Sequence, residues 1–302
     1  MTWGVSYHYY MWLQKPPTHL YWQRTWQLLR KQGARGVRLV IHRTVTDLGL
    51  QTFIRKRSLN RWLMHQFLFW GCLLAVAITF PLVFGWIYFG SAPSDQLMYV
   101  TYLFGFSVAS FKIRTVLSWF LFHGLDVAAV MVLAGVILSL WRRMRDQGAQ
   151  AVQSFSMDFF PLILLTAISV TGLALTASTK WLRGNFYDFL SILHAVTVVT
   201  GLLYLPFGKF FHIFQRPAQI GVKLYKEEGK AGSGAHCARC GERFASRMHV
   251  DDLKQVLREL GFDYSIAGPA ETWQDLCPAC KRKSLANAQL RLKEEAHGRS
   301  AD

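Results

Sequence analysis

Four long apolar blocks, separated by polar stretches, dominate the pattern of this 302-residue chain. A helix of about 20 residues crosses a hydrocarbon core of roughly 30 Å, and each block is long enough for that. We therefore predict four membrane-spanning helices. The first would serve as an uncleaved signal anchor, because it is too long for a signal peptide and follows a long polar segment. The predicted spans are residues 62–89, 117–141, 159–178 and 187–211.

A fifth apolar stretch, residues 97–111, is shorter than a crossing requires. A span there would also place Arg142, Arg143 and Arg145 on the outer side, against the preference of basic residues for the cytoplasm. We expect this stretch to form an outer, interfacial or re-entrant helix.

Basic residues set the orientation of the spans. They cluster before the first span, after the second and after the fourth, whereas the two other loops carry fewer. The positive-inside rule then places both termini in the cytoplasm of a multi-pass protein of the inner membrane. The clusters are Arg55, Lys56, Arg57 and Arg61; Arg142, Arg143 and Arg145; and Arg216, Lys223 and Lys226.

The net charge of +16 would suggest a nucleic-acid partner for a soluble protein. Here 52% of the residues are hydrophobic and the basic residues flank the apolar blocks. Such residues are topology signals and lipid contacts. We expect membrane lipid, and no nucleic acid, as a partner.

The fold class predicted is an all-α membrane protein, in which a four-helix transmembrane bundle carries a small cytoplasmic zinc-ribbon-like four-cysteine module. The tail that precedes the bundle contains two stretches, 21–31 and 37–57, that can form amphipathic helices on the inner surface. The predicted domains are a basic and aromatic tail (1–61), the bundle (62–216), a linker (217–234), the cysteine module (235–285) and a charged tail (286–302).

Four histidines lie within the apolar blocks, where ionisable side chains are costly and usually functional. By depth, His65 and His212 lie near the cytoplasmic side, and His123 and His194 near the outer side. Imidazoles that face each other in a bundle can ligate haem iron. We predict two haems b, an inner one held by His65 and His212 and an outer one held by His123 and His194. A structural or proton-relay role is the alternative for any single histidine.

The segment that contains the last two histidines resembles a known family. His194 is followed 18 residues later by His212 in the run YLPFGKFFHIFQRP, residues 204–217. This is similar to the last helix of the gamma, or cytochrome b, subunit of respiratory nitrate reductase, and to membrane subunits of heterodisulfide-reductase-type and sulfite-reduction-associated complexes. The run RWLMHQFLFWG, residues 61–71, resembles their early ligand helix. The resemblance covers about residues 55–217.

This resemblance implies a dihaem cytochrome b that exchanges electrons between membrane quinone and cytoplasmic iron–sulfur and catalytic subunits of an oxidoreductase complex. The family's subunit has five spans and takes two haem ligands from its early helix. Here Ala75 occupies the place of the second of those ligands, and His123 on the next span replaces it.

A quinol site needs polar groups near a haem. Asp126 lies three residues after His123, so both share a helix face, and the carboxylate can handle protons; a helix-packing hydrogen bond is the alternative. Lys112 and Arg114 can hold a quinone oxygen or a propionate on the outer side. Lys209 and Arg216 are the propionate candidates on the inner side, and each of these cations can instead snorkel to the interface.

Two C-x-x-C pairs, Cys237/Cys240 and Cys277/Cys280, indicate a four-thiolate metal site. The absence of a histidine directly after either pair excludes c-type haem attachment. The residues 249–260 between the pairs predict a helix. Structural zinc is the favoured metal, with rubredoxin-like iron or an iron–sulfur cluster as alternatives.

The sequence therefore predicts a quinone-reactive, dihaem membrane subunit of a larger oxidoreductase. The alternatives are a formate dehydrogenase- or hydrogenase-type cytochrome b subunit, and a non-redox membrane scaffold whose zinc module recruits a partner.

Overall fold

The structure, a computed structural model, describes residues 1–92, 95–150, 153–266 and 272–298. Within these ranges the chain divides into two compact units. The first comprises residues 1–5 and 45–213, and the second comprises residues 6–44 and 214–302. Four helices are long and apolar enough to cross a membrane, as predicted: Leu59–Val83, Val116–Arg145, Phe155–Trp181 and Tyr187–Tyr204.

In the first unit the spanning helices are α5 (Leu59–Val83), α6 (Val116–Arg145), α8 (Phe160–Trp181, preceded by a π-helical turn, Phe155–Phe159) and α9 (Tyr187–Tyr204). Each packs extensively against the next span along the chain. The shorter helices of this unit are α4 (Thr52–Arg55) and α7 (Gln147–Gln150). The π-helical turn Thr44–Gly49 and the short α10 (His212–Gln215) lie at the boundaries between the two units.

Glycines allow the first two spans to approach closely. A Cβ on Gly71 would lie 2.9 Å from the Val132 side chain and 3.1 Å from the backbone oxygen of Ala128. A Cβ on Gly135 would lie 2.7 Å from the Leu68 side chain. Small residues at such contacts are the usual means by which membrane helices associate.

The stretch 97–111, expected as an outer helix, is instead part of an antiparallel sheet, so that prediction is wrong and the protein is mostly, not entirely, helical. Strands β1 (Ile87–Ala92), β2 (Asp95–Leu103) and β3 (Phe106–Lys112) pair in the order β1-β2-β3. The stretch is rich in Tyr, Val, Thr and Phe, which favour strands. Phe104 and Gly105 form its two-residue turn with φ of 50° and 89°, the pairing that a type I′ hairpin requires.

The fourth span ends earlier than predicted. Helix α9 stops at Tyr204, and Pro206, which has no N–H, interrupts the ladder before a 3₁₀ turn at Lys209–Phe211 and the short α10. His194 and His212 therefore do not lie on one continuous helix, although the fourth predicted span reached residue 211.

The second unit combines both ends of the chain. Helices α2 (Pro16–Gln32) and α3 (Ala34–Arg43) belong to it, so the predicted tail is divided between the two units. Helix α1 (Thr2–Leu13) begins in the first unit and continues into the second. The remaining elements are α11 (Ala218–Ala231), β4 (Gly234–His236), β5 (Arg243–Ser246), α12 (Arg247–Glu259), a 3₁₀ turn (Trp273–Asp275) and α13 (Pro278–Gly298).

A buried ionic network holds α2 to the C-terminal helices. Asp252 on α12 is 3% exposed and accepts hydrogen bonds from Arg24 (2.6 and 3.3 Å) and from the Tyr225 hydroxyl (2.8 Å). Burial and the neighbouring Asp252 carboxylate raise the pKa of Tyr225, which therefore stays protonated and donates. Gly221 lets α11 approach α2, because a Cβ there would overlap the Thr25 side chain. Helix α2, although it precedes all the spans in the chain, is thus an integral part of the second unit.

Candidate metal centre and membrane histidines

The two C-x-x-C pairs converge. The sulfurs of Cys237, Cys240, Cys277 and Cys280 all lie within 4.8 Å of one another. Cys237, Cys277 and Cys280 are buried, and Cys240 is exposed. The group could hold one metal ion, as the spacing predicts.

Local turns bring the sulfurs together. The first pair follows β4 in a tight turn, closed by hydrogen bonds from Gly241 N to Cys237 O (2.8 Å) and from Cys237 N to Glu242 O (2.9 Å). Gly241 has a φ of +74°, which a glycine adopts without strain. In the second pair, Cys277 precedes α13 and Cys280 lies in its first turn. The predicted helix between the pairs is confirmed as α12.

Backbone N–H groups point at the sulfurs. Cys277 N donates to Cys237 Sγ (3.2 Å), and Cys280 N donates to Cys277 Sγ (3.4 Å). Burial raises the pKa of Cys237, but N–H groups of Cys277, Cys240 and Arg239 outweigh it and lower the pKa to about 6. Burial and the neighbouring thiols raise the pKa of Cys280 to about 12. One thiolate therefore forms readily, and a bound cation is what would allow all four.

Contacts around the cluster fix the second pair. Phe244, Ile266 and Trp273 pack against the buried cysteines. Asp275 accepts a hydrogen bond from Lys254 (2.8 Å), and its backbone oxygen accepts one from Ala238 N (3.0 Å). Helix α12 and the first cysteine turn therefore both hold the chain just before Cys277.

The Thr171 hydroxyl is hydrogen-bonded to His194. Its oxygen lies 2.9 Å from His194 Nδ1 and 2.7 Å from the backbone oxygen of Ala167, which can only accept. Donation of the hydroxyl hydrogen to Ala167 favours the tautomer in which Nδ1 carries the proton and Nε2 keeps the lone pair. Gly172 leaves room for the ring, because a Cβ there would be 3.3 Å from His194 Cε1.

His123 has the same tautomer but a cationic neighbour. Its Nδ1 donates to the backbone oxygen of Trp119 (3.0 Å), and its ring stacks on that indole with centroids 4.9 Å apart. Its Nε2 accepts from Lys180 Nζ at 2.5 Å. The sequence pattern assigned no role to Lys180, because the contact joins residues on different helices.

The inner histidines lie in different surroundings. His212 is exposed and its Nδ1 donates to the backbone oxygen of Lys209, which again leaves Nε2 with the lone pair. His65 is half-buried in the second turn of α5. The hydrogen bonds of His123 and His194 lead to different residues of α8, Lys180 and Thr171, and the predicted haem pairings stay predictions.

Three of the proposed quinone and propionate residues, Asp126, Lys209 and Arg216, have partners of their own. Asp126 accepts a hydrogen bond from Thr176 (2.7 Å), as in the helix-packing alternative. Lys209 forms an ion pair with Asp158, which also meets Arg143 (3.3 Å). Lys112 ends β3, Arg114 lies between β3 and α6, and Arg216 donates to Gln219 (3.2 Å). Asp158 was not predicted, since its partners come from distant segments.

Comparison with protein-family models, with curated proteins and with solved structures finds no match to this chain. The resemblance to the nitrate reductase gamma subunit therefore rests on the quoted sequence runs alone.

Proposed function

We propose that this protein is a dihaem membrane cytochrome b subunit, which exchanges electrons between the quinone pool and a cytoplasmic partner with iron–sulfur and molybdoenzyme-type subunits. The partner class follows from the resemblance to the nitrate reductase gamma subunit. A formate dehydrogenase- or hydrogenase-type complex is the alternative within the same chemistry.

The observation that carries the proposal is the hydrogen bond at Nδ1 of three membrane histidines. His123 and His212 donate through Nδ1 to backbone oxygens, and Nδ1 of His194 is bonded to the Thr171 hydroxyl. A proton on Nδ1 leaves Nε2 with the lone pair that a ligand of iron needs, while the bond at Nδ1 orients the ring. The donor set thus fits the group.

In this proposal His65 and His212 would hold the inner haem, and His123 and His194 would hold the outer haem. Haem b would supply one-electron carriers, and the protein would set their ligation and surroundings. Lys180 must leave the Nε2 of His123 before that nitrogen can serve as a ligand, since it now accepts from the ammonium group. Lys209 and Arg216 would neutralise propionates on the inner side.

The same proposal assigns quinone chemistry to the outer side. Lys112 and Arg114 would hold a quinone oxygen. Asp126 would take up a proton released by quinol, because its Oδ1 already accepts a hydrogen bond from Thr176 and its second oxygen has a further site for a proton.

For the four cysteines we propose structural zinc, with rubredoxin-like iron and an iron–sulfur cluster as the other metals that suit four thiolates. Four thiolates fill the tetrahedral positions of zinc and leave none open for a substrate. This is the pattern of a site that stabilises a fold.

The membrane topology of the proposal has four spans with both termini in the cytoplasm. Two observations support it. The sheet formed by β1, β2 and β3 replaces the apolar stretch that might have been a fifth span. Arg24 and Asp252, which flank all the spans, form an ion pair at 2.6 Å, and two paired segments must lie on one side of the membrane.

A visible spectrum with and without quinol tests this function. We expect a Soret band in the purified protein, and reduction of the haem bands when a soluble naphthoquinol is added to protein in liposomes. His194→Ala should lower the haem content, whereas His236→Ala, outside the spans, should leave it unchanged. A purified protein without a Soret band would overturn the proposal and favour the scaffold.

A further inference from the structure

A groove of about 470 Å³ runs between α11 and β5 in the second unit. Its wall includes the half-buried side chains of Tyr21 and Phe244, and Tyr21 meets the almost fully buried ring of Tyr225 edge to face with centroids 5.0 Å apart. Lys226, Lys230 and Arg243 also line it, and no carboxylate is among the described residues that do so. The groove thus combines aromatic surface with three basic side chains.

These three cations are uncompensated because the carboxylates of α11 are already paired. Glu228 meets Lys31 (2.8 Å), and Glu227 meets Arg43. Within the described part of the chain, Lys226, Lys230 and Arg243 form no ion pair, and all three are exposed. The groove therefore has a positive potential that an anionic partner would satisfy.

Strand β5 forms one side of the groove. Four consecutive residues of this strand, Arg243–Ser246, line it. Successive side chains point to opposite faces of a strand, so lining by all four is the pattern expected of a groove along a strand edge. The other edge pairs with β4, and the sheet has only these two strands in the described structure.

We propose that this groove binds an extended acidic segment of a partner protein, which adds to the free edge of β5 while its carboxylates meet Lys226, Lys230 and Arg243. Main-chain hydrogen bonds to an open strand edge and side-chain contacts beside it are an established mode of peptide recognition. A strand edge beside a concave aromatic wall suits a polypeptide better than a flat lipid surface. The proposal depends on the proposed function in one respect only: the partner protein is identified as the electron-transfer partner.

Peptide binding to the full-length protein in neutral detergent tests the proposal. The probe is a fluorescein-labelled octapeptide of alternating Glu and Val, followed by fluorescence anisotropy. Combining Lys226→Glu, Lys230→Glu and Arg243→Glu should weaken binding about tenfold or more. The matched control, Arg258→Glu with Lys283→Glu and Arg291→Glu, changes the net charge equally on exposed residues outside the groove and should change binding less than about twofold.

A second probe tests the strand mode. Replacing two Val residues of the peptide by Pro removes N–H donors, and should abolish binding to the wild-type protein. Equal losses in the groove and control variants, or undiminished binding of the Pro peptide, would overturn the proposal. A third outcome would also overturn the proposal: the wild-type protein binds phosphatidylglycerol micelles but not the peptide, and the groove variant no longer binds the micelles. If the charge reversals make the protein sensitive to protease, the same three positions are changed to Gln instead, and peptide binding is compared with that of the matched control.

Haem content is measured in parallel. A protein without haem that still binds the peptide would contradict only the proposed function, and a protein with haem that does not bind the peptide would contradict only this proposal.

Discussion

At the scale of single residues, Thr171 is the test of how His194 is oriented. Thr171→Val keeps the shape of the side chain but removes the hydroxyl that is bonded to Nδ1, whereas Thr171→Ser keeps it. Loss of such a supporting bond weakens a metal site about 10- to 100-fold. We expect Thr171→Val, and not Thr171→Ser, to lower the haem content in a pyridine haemochrome assay. Equal haem content in the two variants would contradict this role of Thr171.

Two ion pairs of the second unit should differ in their effect on stability. Arg24→Ala leaves the Asp252 carboxylate, whose side chain is 4% exposed, with only the Tyr225 hydroxyl. This should cost about 2–3 kcal/mol. Lys31→Ala removes a pair whose lysine side chain is 72% exposed, and should cost about 0–1 kcal/mol.

Hydrogen exchange of α11 and α12 in the full-length protein measures both effects. The buried network would not hold the second unit together if Lys31→Ala increased the amide exchange rates of these helices more than Arg24→Ala did.

The residue-level sites show what spacing can predict. The four cysteines were predictable because the two residues of each C-x-x-C pair are neighbours in the sequence. Only the approach of one pair to the other had to be assumed. The partners of the histidines were not, since the bonds from Thr171 to His194 and from Lys180 to His123 join different helices. Nothing in the local pattern of either segment indicates them.

At the scale of helices and strands, the contact between α5 and α6 predicts unequal effects of two glycine substitutions. In Gly71→Ala the new methyl meets the backbone oxygen of Ala128 at 3.1 Å, which cannot turn away. In Gly124→Ala it meets only the flexible end of Ile78, at 2.6 Å. We expect Gly71→Ala to cost about 1–3 kcal/mol and Gly124→Ala less than about 1 kcal/mol.

Thermal unfolding of the purified variants in one detergent ranks the two substitutions. The helix contact as described would be wrong if Gly124→Ala lowered the midpoint temperature more than Gly71→Ala.

Lengths of apolar runs predicted the spans but not how each ends. The predicted first span continued to residue 89, whereas α5 ends at Val83 and β1 begins at Ile87. Strand and helix are hard to tell apart in a short apolar run, and the turn at Phe104–Gly105 was the local signal for a hairpin. Likewise, Pro206 and Gly208 were the visible signals that α9 stops before His212.

At the scale of the whole molecule, the pairing of both chain ends predicts their location. Gln14 and Asn287 both belong to the second unit, so Gln14→Cys and Asn287→Cys should label from the same side of the membrane. The proposed topology makes that side the cytoplasm, so both should react with a membrane-impermeant maleimide only after cells are opened. Ser107→Cys on β3 should react in intact cells. Labelling of Gln14→Cys and Asn287→Cys from opposite sides would contradict both the four-span topology and the second unit.

The metal and the fold of the cysteine module should also be coupled. Cys277→Ser removes one of four ligands, so the region after Gly234 should become protease-sensitive while the haem spectrum survives. Elemental analysis of the wild-type protein should give about one zinc per chain. The module would instead be a redox centre if the wild-type protein contained more iron than its haem accounts for, and if the cysteine variant lost that extra iron.

The division of the chain into two units could not be predicted from the sequence. The bond between Arg24 and Asp252 joins positions 228 residues apart, and the N-terminal segment alone has the composition of a membrane-surface tail. Only the pairing of Arg24 with Asp252 shows that this segment forms a structural helix of the second unit and not a tail on the membrane surface.

The central claim is that four membrane histidines hold two haems, and haem counting in single variants tests it most directly. A pyridine haemochrome assay of the wild-type protein should give about two haems b per chain. His65→Ala and His212→Ala should each remove the same redox component in a titration, and His123→Ala and His194→Ala the other. No haem in the wild-type protein would contradict the account, and loss of one shared component from His65→Ala and His123→Ala would contradict the pairing.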